Sequence, residues 1–234
     1  MTRLRARAVG LVAAIVLPAA LAAQRGELVL HGGIVRSPDE EFDRAISTQL
    51  PPPTYTRQRG VRESRAAVGV TASFAIRGHV FGELGVLRHG VERSISRTGL
   101  GDPNGPFINT LPYDGSITTF WLGPSYRFVD RERVAIAGVA APMVIVMGGD
   151  AFDRGFVSEN APSRTAALGV LFGLRARVWI TERLGGQLSL ENAVWTMPLS
   201  PHPTDDTPFY PDTYRSTPRQ NDLRLLVGAA YKLF

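Results

Sequence analysis

The sequence predicts an all-β fold, a closed eight-stranded antiparallel up-and-down β-barrel of the transmembrane kind, preceded by a cleavable signal peptide. Three observations predict it. The chain opens on an export-type leader, period-two hydropathy recurs in eight segments, and the connections between those segments alternate between short and long.

The leader comes first. Arg3, Arg5 and Arg7 precede an apolar run from Ala8 to Ala22 that carries no charged side chain. A basic start, a short apolar stretch and Ala20-Leu21-Ala22 ahead of the polar Gln24 make the plan of a secretory signal, with cleavage after Ala22 or Ala23. The run is too short for a helical span of about 20 residues, and no later stretch is long and apolar enough for one. The expected division is a signal peptide over residues 1–23 and one outer-membrane barrel domain over residues 24–234.

Each strand is then read from its parity. Ala66, Val68, Val70, Ala72, Phe74 and Ile76 alternate with Ala67, Gly69, Thr71, Ser73, Ala75 and Arg77, which requires two unlike faces. Phe120, Leu122, Tyr126 and Phe128 alternate with Thr119, Trp121, Gly123, Ser125 and Arg127; Pro124 interrupts the apolar parity as a local defect. Leu168, Val170, Phe172, Leu174 and Val178 stand against Gly169, Gly173, Arg175 and Arg177. Leu184, Leu188, Leu190 and Val194 stand against Gln187, Ser189, Glu191 and Trp195. Leu223, Leu225, Val227 and Tyr231 stand against Asp222, Arg224, Gly228 and Lys232. The segments 28–35 and 80–88 fit less cleanly, and 134–147 is apolar on both parities, so its faces stay open. The eight strands are placed at 27–35, 64–77, 79–92, 116–128, 134–149, 165–180, 184–196 and 222–234.

The connections between them are long at 36–63, 93–115 and 197–221, intermediate at 150–164, and short at 77–79, 129–133 and 181–183. Tight turns at one rim and long loops at the other are the pattern of a membrane barrel, with the short turns on the periplasmic side. Pro51-Pro52-Pro53 and Gly101-Asp102-Pro103-Asn104-Gly105-Pro106 punctuate the long connections.

Such a wall turns its apolar parity toward lipid and its Gly, Ala, Ser and Thr toward a narrow interior that side chains can fill. A soluble barrel with an apolar pocket would need a far more charged exterior. Parity places Glu83 and Glu191 in the lumen with Arg127, Arg175, Arg177 and Arg224. Unpaired charges there would be costly, so the expected pairs are Glu191 with Arg175, Arg177 or Arg224, and Glu83 with Arg127. Aromatic residues are expected as girdles, with Tyr126, Phe128, Trp179, Tyr231 and Phe234 at the short-turn rim and Trp195, Phe209, Tyr210 and Tyr214 at the other.

Composition removes other classes. The formal charge of +5 falls to about +2 without the leader arginines, and the chain shows no basic helix or Lys/Arg stripe, which sets nucleic acid aside. With no cysteine, a disulfide framework, a thiolate metal site and a lipidated N-terminal Cys are excluded.

The chain ends on Gly228-Ala229-Ala230-Tyr231-Lys232-Leu233-Phe234. This resembles the terminal recognition strand of bacterial outer-membrane proteins, with Gly228, the spaced Tyr231 and Leu233, and the final Phe234 as an assembly signal; Tyr231 stands three residues before the terminal Phe rather than two. With leader, strand count and loop asymmetry, the chain resembles the small OmpA/OmpX-like barrels. The resemblance implies insertion by the barrel assembly machinery into outer-membrane lipid and lipopolysaccharide, as a monomer.

Hidden chemistry is sparse. His31, His79, His89 and His202 are the only imidazoles, and no metal or cofactor site follows from their spacing. Asp39, Glu40 and Glu41 read as a solvated acidic loop. The reading is a non-enzymatic surface barrel with an unidentified extracellular ligand. The alternatives are a lipid A-modifying barrel enzyme, for which His89 with Ser94 and Ser96 would have to meet an acid at the lipid-facing rim, and a narrow passive pore.

Overall fold

The computed structural model describes residues 25–37, 42–47, 55–100, 107–150, 166–196, 214–216 and 219–233. The leader and Phe234 lie outside the described residues, as do the acidic residues 39–41, His202, Phe209 and Tyr210. The strands are β1 (Gly26–Arg36), β2 (Phe42–Ser47), β3 (Tyr55–Arg77), β4 (Val80–Leu100), β5 (Phe107–Asp130), β6 (Val134–Gly148), β7 (Ala166–Trp179), β8 (Leu184–Thr196), β9 (Tyr214–Ser216) and β10 (Arg219–Lys232).

Eight of these close a barrel. The wall runs β1-β10-β8-β7-β6-β5-β4-β3, and β3 pairs back onto β1. β1 is bonded on both sides, to β10 through Leu28↔Tyr231 and His31↔Gly228 and to β3 through Leu28↔Ala72 and His31↔Gly69. The backbone groups of the wall therefore find partners within it, the condition for strands that face lipid. The short connections lie at 78–79, 131–133 and 180–183, where Gly78 takes φ +56° to make the tightest turn.

β6, β7 and β8 fall within a residue of their expected bounds. β3, β4 and β5 do not. They run to 23, 21 and 24 residues, through stretches expected as loops at 36–63 and 93–115. The physical reason is cross-strand pairing, which continues as far as Tyr55↔Leu100 between β3 and β4 and Gly99↔Phe107 between β4 and β5. Polar sequence does not end a strand while its backbone is still matched. β2 and β9 likewise fall inside the expected loops 36–63 and 197–221: β2 pairs with β3 over Tyr55 to Gly60, and β9 pairs with β2. Together they form a sheet β9-β2-β3-β4-β5 that projects past β6, whose pairing with β5 begins only at Ser116↔Gly148. Pro112 sits on the part of β5 that has no β6 partner, where a missing N–H is tolerated.

Inside the wall, the β5–β6 ladder runs to Trp121↔Met143 and resumes at Ser125↔Val139. The gap contains Pro124 on one strand and Pro142 on the other, neither with an N–H to give. The defect expected at Pro124 is thus shared by two strands and stays local.

The lumen is layered. Val29, Trp179 and Ala230 pack together near the short-turn rim. A layer of charged side chains follows, and beyond it a larger apolar cluster that includes Leu87, Ile117, Trp121, Met143, Met147, Leu171 and Trp195. The open question of the sixth strand resolves: Ala135, Ala137, Val139, Ala141, Met143, Ile145 and Met147 face inward and Val134, Ile136 and Val144 outward. Its inner face is apolar because Val139 to Met147 line the larger apolar cluster, while the small Ala135 and Ala137 border the charged layer. Trp179 and Trp195 are correspondingly buried in the lumen and are not girdle residues, while Tyr126, Phe128 and Tyr231 are exposed on the outer face.

Lumen-facing glycines make room for this filling. A Cβ on Gly85 would enter the indole of Trp121, one on Gly69 would meet Nε2 of His31 at 2.6 Å, and one on Gly173 would meet the Glu191 backbone at 2.8 Å. Gly85→Leu should therefore destabilise the barrel by about 1–3 kcal/mol through overpacking, read as a lower temperature for the loss of heat-modifiable gel mobility. An unchanged transition would show that Trp121 has space to move.

Candidate functional site

The candidate site is the charged layer of the lumen, built by residues of inward parity on seven strands. Its eight fully charged members are Glu27, Glu83, Glu191 and Asp222 with Arg127, Arg175, Arg177 and Arg224, all buried. Four acids face four guanidinium groups, so the layer is neutral as a whole.

The pairs form two groups. Near the short-turn rim, Glu27 receives Arg127 Nη2 at 2.5 Å and also pairs with Arg177, while Ser73 Oγ donates to it at 3.4 Å. Arg127 turns its other terminal nitrogen to Asp130 at 3.1 Å and lays its guanidinium 3.6 Å from the centre of the Phe81 ring. Arg177 Nε donates to Gln187 Oε1 at 3.0 Å, and the Gln187 amide donates to Ser189 at 2.9 Å. One strand-spacing deeper, Arg175 pairs with Glu83 and, at 2.7 Å, with Glu191. Arg suits both places, since its planar fork reaches two carboxylates from one stem.

Glu83 thus meets Arg175 from across the lumen, not Arg127 from its own side as expected. Adjacency along the wall misjudged this pair because in a narrow barrel opposite walls are within one Arg length of each other. Glu191 takes Arg175 and neither Arg177 nor Arg224. Arg224 stands opposite Glu191 in register, yet its Nη2 donates to Thr119 at 2.8 Å on the far wall. Asp222 accepts from Ser37 at 2.8 Å and from the Trp195 indole at 2.9 Å.

Glu27 and Gln187 belong to the network, and Asp222 is a further buried charge of the lumen, although the sequence reading did not assign them to it. Asp222 and Gln187 were legible by parity. Glu27 was harder, because Gly32-Gly33 breaks the alternation of the first strand and hides which of its faces is inner. The assembly-signal residues lie elsewhere: Gly228 faces inward against His31, whereas Tyr231 and Leu233 are exposed on the outer face, and Phe234 is outside the described residues.

The layer leaves little space. A void of about 10 Å³, near the size of one water, is lined by Glu83, Arg127, Ala135, Ala137, Arg175 and Arg177. His31 stacks on Trp121 at 6.5 Å between ring centres, and both its nitrogens are buried without a protein partner. His89 also points into the lumen and is buried, away from the lipid-facing rim, while Ser94 is only partly covered. Among the described residues no group of three His, Asp or Glu side chains could hold a metal ion.

No protein-family model matches the sequence, and no curated protein matches it. In structure the chain is similar to the outer membrane protein OprG from Pseudomonas aeruginosa, at 12% identity, with 89% of this chain and 96% of that chain covered and a TM-score of 0.48. It is similar to Ail, the attachment invasion locus protein of Yersinia pestis, solved with the heparin analogue sucrose octasulfate, at 11% identity, 90% and 100% coverage and a TM-score of 0.38. It is also similar to the outer membrane protease OmpT from Escherichia coli, at 6% identity, 91% and 98% coverage and a TM-score of 0.37. With all three TM-scores below 0.5, the likeness extends no further than the barrel, and function is decided by this chain's own wall and lumen.

Proposed function

We propose that the chain is an integral outer-membrane barrel without enzymatic activity, whose lumen is closed by its charge network and whose projecting sheet meets the exterior. One observation carries this reading: the barrel is inside out relative to a soluble protein. Charges are sealed within, while Leu30, Ile34, Val68, Phe128, Leu168, Leu174, Val178, Leu190 and Val227 are each about half exposed or more on the outside. Soluble monomers rarely expose contiguous apolar patches of more than a few hundred Å².

The height of this belt agrees. On β7 the outward apolar residues run from Leu168 to Val178, ten residues or about 33 Å at 3.3 Å each. At a strand tilt near 40° that is a band about 25 Å high, the thickness such barrels present to lipid. Backbone closure supports the same conclusion, because an edge facing hydrocarbon would leave unpaired donors.

Closure of the bore is supported by the pairing of Glu27, Glu83 and Glu191 with three arginines and by the small size, about 10 Å³, of the void that the charged layer lines. A pore would need those charges hydrated and apart. The lipid-modifying alternative needs its imidazole at the outer face, and His89 is on the inner one.

Three measurements test this reading. The expressed protein should fractionate with membranes and show heat-modifiable mobility; recovery in the soluble periplasm without detergent would overturn it. Since the chain has no native cysteine, a thiol-specific reagent added to intact cells should label Asp114→Cys on the projecting sheet and spare Glu182→Cys in a short turn; the reverse pattern would invert the topology. In planar bilayers the wild type should be closed, and Arg175→Ala should leak, having lost the side chain that ties Glu83 to Glu191. A large steady wild-type current would refute the plug. In the same layer, Glu27→Gln should cost about 3 kcal/mol or more in unfolding, because it leaves Arg127 and Arg177 buried without their shared carboxylate.

A further inference from the structure

We propose that the short-turn rim is a collar that binds the phosphodiester head groups of anionic phospholipid. This rests on the membrane-spanning reading and goes beyond it by assigning a partner to one surface. The rim is formed by the start of β1, the three tight turns and the end of β10. Each contributes a cation: Arg25, then Arg77, then Arg131 and Arg133, then Arg183, then Lys232. Among the described residues of the rim, only Asp130, Glu132 and Glu182 stand against these six.

The acids do not cancel the collar. Asp130 is already engaged by Arg127 at 3.1 Å and Arg25 at 3.4 Å. Lys232 is partly drawn inward, its Nζ 4.3 Å from the centre of the Trp179 ring. Arg77, Arg131, Arg133 and Arg183 are exposed and form no ion pair with another described residue. Four free guanidinium groups therefore encircle the rim, with Glu132 and Glu182 as their only free counter-charges among the described residues.

Their position selects the partner. Arg77 follows the outward Ile76, Arg133 precedes the outward Val134, and Arg183 precedes the outward Leu184. At every hairpin the cation thus borders the last apolar residue of the belt. Tyr126 and Phe128 stack edge to face at 5.5 Å beside one of these turns, and His79 lies 6.1 Å from Tyr126. What lies at the border of a hydrocarbon belt is the head-group layer, where amphipathic rings and long cationic stems settle. A guanidinium there meets phosphate in bidentate geometry, and each basic side chain near an anionic lipid surface contributes about 1 kcal/mol.

Native mass spectrometry of the barrel extracted from membranes, titrated with phosphatidylglycerol or phosphatidylcholine, tests the collar. Wild type should carry phosphatidylglycerol adducts in clear preference. R133Q should lower that affinity about fivefold, and R77Q/R131Q/R133Q/R183Q should abolish the preference. R36Q/R88Q, at the opposite end of the wall, should retain it. All four collar positions are exposed, and heat-modifiable mobility checks that the variants fold. Equal binding of both lipids by wild type, or an undiminished preference in the fourfold variant, would overturn the collar. Displacement of the adducts by glycerol phosphate at equal phosphate concentration would assign the site to soluble phosphate and overturn it as well. A protein found in the soluble periplasm would remove the membrane reading and the collar together, whereas equal lipid binding by a membrane-extracted barrel removes the collar alone.

Discussion

Everything in this structure depends on the double pairing of β1. Bonded to β10 on one side and β3 on the other, it converts an open meander into a wall without an edge. An open sheet of these strands would present a row of unpaired donors and acceptors, and an apolar outer face would then drive aggregation. Once closed, the backbone makes no demand on its surroundings. The outer side chains are free to be apolar, and the polar ones are confined within.

Confinement sets the second constraint. Eight buried ionic side chains in a narrow lumen are tolerable only because Glu27, Glu83 and Glu191 pair with Arg127, Arg175 and Arg177 through shared partners, while Asp222 and Arg224 are hydrogen-bonded to Ser37, Trp195 and Thr119. Glu27 joins two arginines and Arg175 joins two glutamates, so the layer spans the bore from wall to wall. The apolar layers above and below it fill the rest. Lumen glycines on β3, β4 and β7 supply the room that His31, Trp121 and Glu191 require, so the small residues and the large ones are one design.

The wall is asymmetric in height. β5 is 24 residues long and β8 is 13, a difference of about 36 Å of strand at 3.3 Å per residue. The surplus becomes the sheet β9-β2-β3-β4-β5. The short-turn rim has no such extension; it ends abruptly in tight turns with a cation at each. One end of the molecule carries an extended sheet and the other is cut short at its turns.

Much of this was legible in the chain. Parity reports which side chains share a face, and the alternation in β3, β7, β8 and β10 was unambiguous because their two faces meet opposite solvents. The eight segments, their order and the inward set around Arg175, Glu191 and Arg224 follow from that alone. Parity failed where both faces are apolar, as in β6, because the difference between lipid and a hydrophobic lumen is not written in residue type. It failed also at the ends of β3, β4 and β5, where pairing with a neighbour, not hydropathy, holds the strand together. Which carboxylate meets which arginine was beyond any local rule. Glu83 and Arg175 are 92 residues apart and sit on opposite walls, so only the diameter and stagger of the closed barrel could bring them together. Where the two parities differ, sequence alone determined which residues face in and which face out; the tertiary structure decided the faces of β1 and β6 and who meets whom, because contact across a lumen is a property of closure.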